Sequence, residues 1–216
     1  MKYYPVFLDI SDRQCAVVGG GEVAFRKVRR LLQCGARVKV ISAKLSPEME
    51  ALKNRNEIVH INGRYKADHI ADAFIVIGAT NSRTVNNRIF RDARAGKVLV
   101  NIVDEPERCD FILPSVVERG DLAMAISTGG KSPALARHLR QELEEVYGEE
   151  YEIYLDILGQ TRAIVLARRQ PSDENRKIFE ALIHSDLLKR IRKRDWDAVK
   201  ELVREIIDEP IEVNLS

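Results

Sequence analysis

The stretch that most constrains this chain is a glycine-rich loop at residues 19–24, between an apolar run and a helical pattern. Gly19, Gly21 and Ala24 fit the spacing G-x-G-x-x-G/A of a dinucleotide-binding strand–loop–helix unit. The first glycine permits a tight turn, the second lets the backbone approach a pyrophosphate, and the small third residue lets helix and strand pack closely. Free N–H groups at the start of the helix then face the phosphates. The pattern predicts a nucleotide site, and a glycine-rich turn without a ligand is the alternative.

Apolar runs alternate with helical patterns as far as residue 104. The continuous apolar run at residues 74–79 is typical of a parallel strand that is covered on both faces. This alternation predicts an α/β fold in which an N-terminal Rossmann domain is built on a doubly wound parallel sheet. Residues 6–8 are interpreted as a short lead-in strand or a packing segment. The predicted strands are residues 14–18, 37–41, 58–61, 74–79 and 98–101, and the helices include residues 22–34, 66–72, 82–95 and a segment that Ser46 opens.

The pattern changes after residue 104, where two apolar segments flank a short polar turn. Residues 111–117 and 122–127 predict a β-hairpin, because a turn of four residues is too short for a crossover between parallel strands. A helix at residues 133–147 follows, and the rest of the chain is charged and helical. These amphipathic helices must bury their apolar stripes against each other, against the sheet or against a second subunit. The predicted domains are residues 1–111, 112–147 and 148–216.

Composition excludes several classes of protein. A net charge of +2 gives no argument for nucleic acid or a membrane surface as a partner. No apolar run approaches the roughly 20 residues that span a bilayer, and Pro5 and Asp9 interrupt the N-terminal apolar stretch, which does not fit a signal peptide. Three scattered cysteines fit neither a disulfide framework nor a zinc cluster. We therefore expect a cytoplasmic protein that binds neither nucleic acid nor membrane, and we interpret the basic run at residues 189–194 as a solvated helix face.

The carboxyl ends of the predicted strands mark the ligand site, because doubly wound sheets hold their ligands at that edge. The acidic residue that usually holds a ribose hydroxyl is missing after the second strand, where Ser42, Ala43 and Lys44 stand instead. Ser42 still offers a hydroxyl to a ribose, and Lys44 either accommodates a 2′-phosphate or is a solvated loop lysine. The choice between NAD and NADP therefore stays open. Thr80 and Asn81 follow the fourth strand at the same edge.

Asp104 is the ionisable residue with the strongest case for catalysis. It comes just after the fifth strand, on the side where the reactive ring of a nicotinamide cofactor is expected. A carboxylate there can take up a proton while a hydride leaves for the nicotinamide. An ordinary turn is the alternative for Asp104, and Asp110 has a weaker case. The four histidines lack the spacing of metal ligands, so they predict no metal site.

Several motifs together resemble the precorrin-2 dehydrogenase family, which is also called the dehydrogenase/ferrochelatase module of siroheme synthase. The order and spacing of these motifs fit from the N-terminus to about residue 147. The glycine loop is common to many families, whereas residues 101–115 and the run after the hairpin are specific to this one. The matching segments are residues 4–8 (YPVFL), 17–27 (VVGGGEVAFRK), 79–81 (ATN), 101–115 (NIVDEPERCDFILPS) and 126–140 (ISTGGKSPALARHLR).

The resemblance implies an NAD-dependent oxidoreductase that converts precorrin-2 to sirohydrochlorin in sirohaem biosynthesis. It also implies a homodimer, with residues 112–147 as the dimerisation segment and residues 148–216 as a helical domain. Some members of the family also insert Fe²⁺ as ferrochelatases. The sequence leaves that second activity open for this chain, and Asp104 is the residue that would serve it. A non-catalytic, NAD(H)-sensing regulatory dimer is the alternative function.

The resemblance also implies roles for individual residues. Asp104 matches the catalytic aspartate of the family, and Ser127 and Thr128 match a pair of serines in some members. A tetrapyrrole substrate carries acetate and propionate groups, so Lys131 and the backbone amide of Gly129 are expected to meet its carboxylates. The residues predicted to bind the cofactor are Gly19, Gly21, Glu22, Val23, Ser42, Ala43, Lys44, Thr80 and Asn81.

Overall fold

The computed structural model describes residues 2–169 and 171–212. The chain divides into two compact units, Met1–Leu113 and Pro114–Ser216. Each unit has its own hydrophobic core. The three-part domain division that the sequence suggests stays a prediction.

The first unit is built on a five-stranded parallel sheet. Its strands are β1 (Gln14–Val18), β2 (Arg37–Ser42), β3 (Ile58–Asn62), β4 (Ile75–Gly78) and β5 (Leu99–Ile102). They lie in the order β3-β2-β1-β4-β5, so β1 pairs with β2 on one side and with β4 on the other. The strand order reverses beside β1, and doubly wound sheets bind their ligands at such a reversal. The predicted fold class is confirmed.

Three helices connect these strands: α1 (Glu22–Gln33), α2 (Pro47–Asn54) and α3 (Arg83–Ala95). Ser46 and Ser82 cap α2 and α3, because their hydroxyl oxygens accept hydrogen bonds of 3.4 Å from the amides of Met49 and Val85. Gly35, the predicted stop of the first helix, has a φ of 73°. The predicted helix at residues 66–72 is a shorter 3₁₀ turn, Ala67–Ile70.

Side chains of β1 point alternately to the two faces of the sheet and take part in two cores. Cys15 and Val17 pack with the apolar residues of α1 and α2. Ala16 and Val18 pack with those of α3. All four side chains are buried, so both faces of the sheet are covered, as a continuous apolar strand requires.

The N-terminal residues 6–8 form neither a strand nor part of the core. Val6, Phe7 and Leu8 are exposed in the described structure and have no regular secondary structure. The expectation of a lead-in strand or packing segment is therefore wrong for this unit. Because β1 already pairs on both sides, another strand could join only at an edge, and Pro5, just before this segment, has no backbone N–H to donate to a ladder.

The second unit begins with the predicted β-hairpin, β6 (Ser115–Arg119) and β7 (Leu122–Ile126). Gly120 allows the tight turn between them, because its φ is 53°. Val117 and Met124 face each other on the side of the hairpin that packs against the helices, and Val117 is fully buried. Helix α4 (Pro133–Val146) follows and is capped by Ser132, whose hydroxyl oxygen accepts from the Leu135 amide at 3.1 Å.

Four further helices form a small bundle with its own core. They are α5 (Glu150–Ala167), α6 (Ser172–His184), α7 (Leu187–Arg192) and α8 (Trp196–Ile207). The basic run at residues 189–194 takes part in their packing. Arg190 donates to the Ala198 carbonyl at 2.8 Å, and Arg192 forms an ion pair of 2.9 Å with Glu150. No helix in the described part of the chain is long and apolar enough to cross a membrane.

Two valines in the sheet provide a matched test of the core. Val40 on β2 is fully buried, whereas Val59 on β3 is 65% exposed. We expect Val40→Ala to lower the free energy of unfolding by about 2 kcal/mol, through lost burial and a residual cavity. Val59→Ala should change it by less than about 0.5 kcal/mol. Urea unfolding followed by circular dichroism measures both values, and equal losses would contradict the assigned register.

Candidate functional site: a dinucleotide cavity at the carboxyl edge of the sheet

The glycine loop lies tightly between the segments that follow β2 and β4. Gly19 donates its amide to the Ile41 carbonyl at 2.9 Å and has a φ of 130°, which L side chains rarely adopt. A Cβ atom at Gly19 would overlap the carbonyl oxygen of Ala79, and one at Gly20 would overlap that of Lys44. Both positions therefore require glycine. The fingerprint spacing identifies Gly19 but gives no sign of the constraint at Gly20.

Gly21 stands at the start of α1 under a different constraint. It is the N-cap residue and has no side chain to cap the helix, and a Cβ atom there would meet nothing within 4 Å. The first amides of α1 are therefore open to a ligand, and the positive end of the helix dipole favours an anion. This geometry fits the pyrophosphate of a dinucleotide.

A cavity of about 780 Å³ opens beside this loop, at the carboxyl edge of the sheet. Its size suits a nucleotide or other small-molecule ligand. All the residues that the sequence predicts for cofactor binding line it, and their binding roles stay predictions. These residues are Gly19, Gly21, Glu22, Val23, Ser42, Ala43, Lys44, Thr80 and Asn81.

Ser42 ends β2 with its side chain buried at the cavity wall. Its hydroxyl lies 3.2 Å from Nε2 of His60 on the neighbouring strand, and the same nitrogen lies 3.0 Å from the Ser42 carbonyl oxygen. His60 therefore orients the serine that the sequence assigns to a ribose. No local sequence pattern signals this role for His60, because it depends on the pairing of β2 with β3.

Five lining residues come from segments in which the sequence predicts no cofactor-binding residue: Gly63, Arg64, Tyr65, Val85 and Arg88. Tyr65 donates its hydroxyl to Asp92 at 3.0 Å, and burial together with this carboxylate raises the pKa of Tyr65. The guanidinium carbon of Arg88 lies 5.9 Å from the centre of the Tyr65 ring. The only sequence signal for Arg64 is its position shortly after β3, the strand beside β2.

The segment after β4 is held by a compact hydrogen-bond network. Thr80 donates its hydroxyl to Asn86 at 2.7 Å and accepts the amide of Ser82 at 3.2 Å. The Asn86 side chain donates in turn to the Thr80 carbonyl at 3.1 Å. The Thr80 hydroxyl is therefore already engaged, and Asn81 is the exposed polar side chain of this segment.

Asp104 lies at the same edge, two residues beyond the end of β5. The preceding residue, Val103, donates its amide to the Gly78 carbonyl of β4 at 2.9 Å, and the segment after β4 lines the cavity. Asp104 is exposed and has a φ of 62° in a turn that the Glu105 amide closes onto the Ile102 carbonyl at 3.2 Å. The carboxylate is therefore accessible rather than packed into the interior.

The loop that carries Asp104 is pinned back onto β5. Asn101 donates its side-chain amide to the Phe111 carbonyl at 2.9 Å. Asp110 accepts the Val100 amide at 3.1 Å and pairs with Arg94 at 3.0 Å. These contacts give Asp110 a structural role.

Cys109 also ties this loop to β5. Its sulfur lies 3.3 Å from the carbonyl oxygens of Ile102 and Glu105, which share its single S–H donor. Burial raises the pKa of the Cys109 thiol, which keeps it in the protonated form that donates. Cys109 therefore serves as a tether for the loop.

Lys27 of α1 is electrostatically linked to Asp104. Burial lowers the pKa of Lys27 and the neighbouring Arg26 lowers it further, whereas the Asp104 carboxylate favours the charged ammonium and opposes that shift. Val103 packs against the same core cluster as Ala24 and Val28 of α1, which places the two segments on one face of the sheet. The candidate catalytic carboxylate therefore lies in the field of a half-buried cation.

In the second unit, the loop before α4 contains the predicted substrate-binding residues. Ser127 accepts the amide of Gly129 at 3.1 Å. Thr128 donates its hydroxyl to the Ser132 carbonyl at 3.0 Å and accepts the Ser132 amide at 3.1 Å. The Thr128 hydroxyl therefore stabilises the loop itself. Lys131 is exposed, and its binding role stays a prediction.

Metal ligands do not cluster in the part of the chain that the structure describes. Among residues 2–169 and 171–212, no group of three or more His, Cys, Asp and Glu side chains is placed to hold a metal ion. Asp104 therefore does not belong to such a group among the described residues.

Comparison with known proteins agrees with this geometry. A family model described as putative NAD(P)-binding matches residues 6–115, slightly more than half of the 216 residues. The chain belongs to this NAD(P)-binding family. A second model, described as the central part of sirohaem biosynthesis proteins, matches residues 119–145.

Individual relatives extend the similarity beyond the dinucleotide cavity. The siroheme synthase of Actinobacillus succinogenes is 38% identical over 201 residues, which are 93% of this chain and 42% of that protein. Siroheme synthase 1 of Aeromonas salmonicida is 38% identical over 188 residues, 87% of this chain and 40% of that protein. The chain thus spans about two fifths of the length of these curated relatives.

A solved structure of SirC, a precorrin-2 dehydrogenase, is similar along almost the whole chain. The TM-score is 0.78 at 25% sequence identity, and the similarity covers 96% of this chain and 100% of that one. The resemblance drawn from the motifs is therefore confirmed.

Two adjacent glycines give a matched test of the cavity. Gly21→Ala should change the free energy of unfolding by less than about 0.5 kcal/mol, because its Cβ meets no protein atom. It should weaken NADH binding about tenfold or more, because the methyl group enters the space where a pyrophosphate approaches. Gly20→Ala should instead cost about 1–3 kcal/mol of stability through overlap with Lys44. Urea unfolding and calorimetric titration measure these effects, and unchanged affinity in Gly21→Ala would contradict the assignment.

Proposed function

We propose that this protein is an NAD-dependent precorrin-2 dehydrogenase that forms sirohydrochlorin in sirohaem biosynthesis. The observation that carries the proposal is the accessible carboxylate of Asp104, held at the sheet edge where the segment after β4 lines the dinucleotide cavity. The substrate is inferred from the similarity to SirC along 96% of the chain. The siroheme synthases support the same pathway.

The groups that line the dinucleotide cavity are chemically suited to bind NAD⁺. The loop at Gly19 and Gly20 has no room for side chains, and the open amides at the start of α1 favour a pyrophosphate. Ser42 offers a hydroxyl to a ribose. Bound NAD⁺ supplies a hydride acceptor.

Asp104 supplies the complementary proton chemistry. Oxidation of precorrin-2 removes two hydrogens, one as hydride and one as a proton. The Asp104 carboxylate is the group in this site that accepts the proton, and solvent can receive it next because the side chain is exposed. The same carboxylate favours the charged ammonium of Lys27 in α1.

The carboxylates of the macrocycle are assigned to the loop before α4. Gly129 and Gly130 have φ values of 62° and 84°, and Lys131 follows them with its side chain exposed. The Gly129 amide already donates to the Ser127 hydroxyl at 3.1 Å, so the exposed Lys131 ammonium is the group of this loop that we assign to a substrate carboxylate. Ser127 completes the proposed substrate-binding set, while Thr128 maintains the loop.

Replacement of Asp104 tests the catalytic role. Asp104→Asn keeps the left-handed backbone, because asparagine tolerates positive φ well. We expect turnover of precorrin-2, followed as NADH absorbance, to fall about 100-fold or more through loss of the proton acceptor. Affinity for NAD⁺ should not change.

Glu107→Gln, an exposed acid of the same loop, is the matched control and should keep full turnover. Unimpaired turnover in Asp104→Asn would remove the catalytic role from this residue.

Tight NAD⁺ binding by the unmodified protein without turnover would support the NAD(H)-sensing regulatory dimer instead. Asp104 is also the residue to which the resemblance assigns iron insertion, and an assay with sirohydrochlorin and Fe²⁺ measures that activity separately from NADH formation.

We propose further that the protein is a cytoplasmic homodimer, joined through residues 112–147. The hairpin has only two strands, and the face opposite its helices presents Val116, Ala123 and Ala125, together with Glu118, the register partner of Ala123. Both alanines are exposed, and a second copy of this face would cover them.

A charge on that face tests the dimer. Analytical ultracentrifugation of the unmodified protein should give twice the mass of the chain. Ala125→Arg should shift the protein to the monomer mass, because a buried unpaired cation is costly. Asp121→Arg, in the exposed turn of the same hairpin, should leave the dimer intact. A monomeric unmodified protein would overturn this assignment.

A further inference from the structure

The ribose end of the dinucleotide cavity has an unusual charge for an NAD site. NAD-binding sheets of this kind place an acidic residue after the second strand, where it accepts from the ribose hydroxyls. Here Ser42 is followed by Ala43 and Lys44. The position that normally rejects a 2′-phosphate by charge therefore carries no carboxylate.

The end of β3 adds a second cation beside this position. Ser42 is the register partner of Asn62, and the Gly63 amide donates to the Ser42 carbonyl at 3.1 Å. Arg64 follows directly, and both Arg64 and Lys44 line the cavity. Two neighbouring strands thus deliver one cation each to the same end of the site.

The backbone at this end of the site is held firmly. The Ser46 amide donates to the Gly20 carbonyl at 2.7 Å, which ties the segment after β2 to the glycine loop. His60 fixes Ser42 through its hydroxyl and its carbonyl. Residue 44 is therefore held close to the phosphate-binding loop.

The two cations have no partner of their own in the described part of the chain. Neither Lys44 nor Arg64 forms an ion pair or a side-chain hydrogen bond with any described residue. Among the lining residues, the one carboxylate belongs to Glu22 in the first turn of α1. Unpaired cations of this kind are available for a phosphate, and the arginine fork matches phosphate geometry.

We propose that Lys44 and Arg64 form a binding site for the ribose 2′-phosphate, so that the protein accepts NADP⁺ as well as NAD⁺. The phosphate lies between the two side chains, at the part of the cavity wall that Ser42 also lines. This inference rests on the dinucleotide cavity of the proposed function and not on its tetrapyrrole chemistry.

Two nucleotides that differ only in this phosphate test the site without any turnover. Calorimetric titration of the full chain with adenosine 2′,5′-bisphosphate and with 5′-AMP should show at least about tenfold tighter binding of the bisphosphate. The difference should shrink at high ionic strength, because both cations are exposed to solvent. NADP⁺, titrated in the same way, should bind at least as tightly as NAD⁺.

Variants then assign the effect to these residues. Arg64→Gln and Lys44→Gln should each remove most of the preference for the bisphosphate and leave 5′-AMP affinity nearly unchanged. Arg64→Lys should retain part of the preference. Lys66→Gln is the matched control, since this exposed cation lies two residues further along and does not line the cavity.

Equal affinity of the unmodified protein for the two nucleotides would overturn the phosphate site, as would a preference that survives both glutamine variants. These readouts are independent of precorrin-2. A failed dehydrogenase assay with a clear bisphosphate preference refutes the proposed reaction alone, and active turnover with no preference refutes the phosphate site alone.

Discussion

The close approach of the glycine loop to its neighbours is the constraint on which the first unit depends. The backbone at Gly19 and Gly20 lies against the carbonyls of Ala79 and Lys44, with no room for a Cβ atom. This contact joins the segments after three central strands at one edge of the sheet. It also directs the open start of α1 into the cavity, so the same packing that completes the sheet creates an anion site.

A second constraint acts on the loop after β5. Residues 103–111 fold back and are tied to the strand through Asn101, Cys109 and Asp110. The turn places Asp104 at a φ of 62° with its carboxylate in solvent, while the adjacent Val103 packs in the core. A strained residue held by its surroundings is common at functional sites, because the surrounding contacts fix its orientation. The loop thus gives its two aspartates different roles. Asp110 holds the loop on β5, whereas the Asp104 carboxylate stays accessible to a ligand.

The charged side chains that line the cavity are unevenly distributed, with the carboxylate at the start of α1 and the cations elsewhere on the wall. Glu22 lies in the first turn of α1, where the helix dipole favours a negative side chain. Lys44 and Arg64 stand at the ends of β2 and β3, and Arg88 lies over the ring of Tyr65. The difference between the acidic start of α1 and the basic wall beyond β2 and β3 follows from which strands are neighbours, since residues 44 and 64 line one cavity because β2 pairs with β3.

The sequence by itself determined the strands, most of the helices and about half of the cavity wall. Apolar runs and helix caps are local signals, and the glycine spacing together with the strand ends identified the wall residues from Gly19 to Asn81. Only the tertiary structure decided that His60 orients Ser42, that Arg64 joins Lys44, and that Gly20 must be glycine. It also decided that residues 6–8 stay outside the sheet. These features depend on strand register and on contacts between segments distant in the chain, which no local pattern encodes.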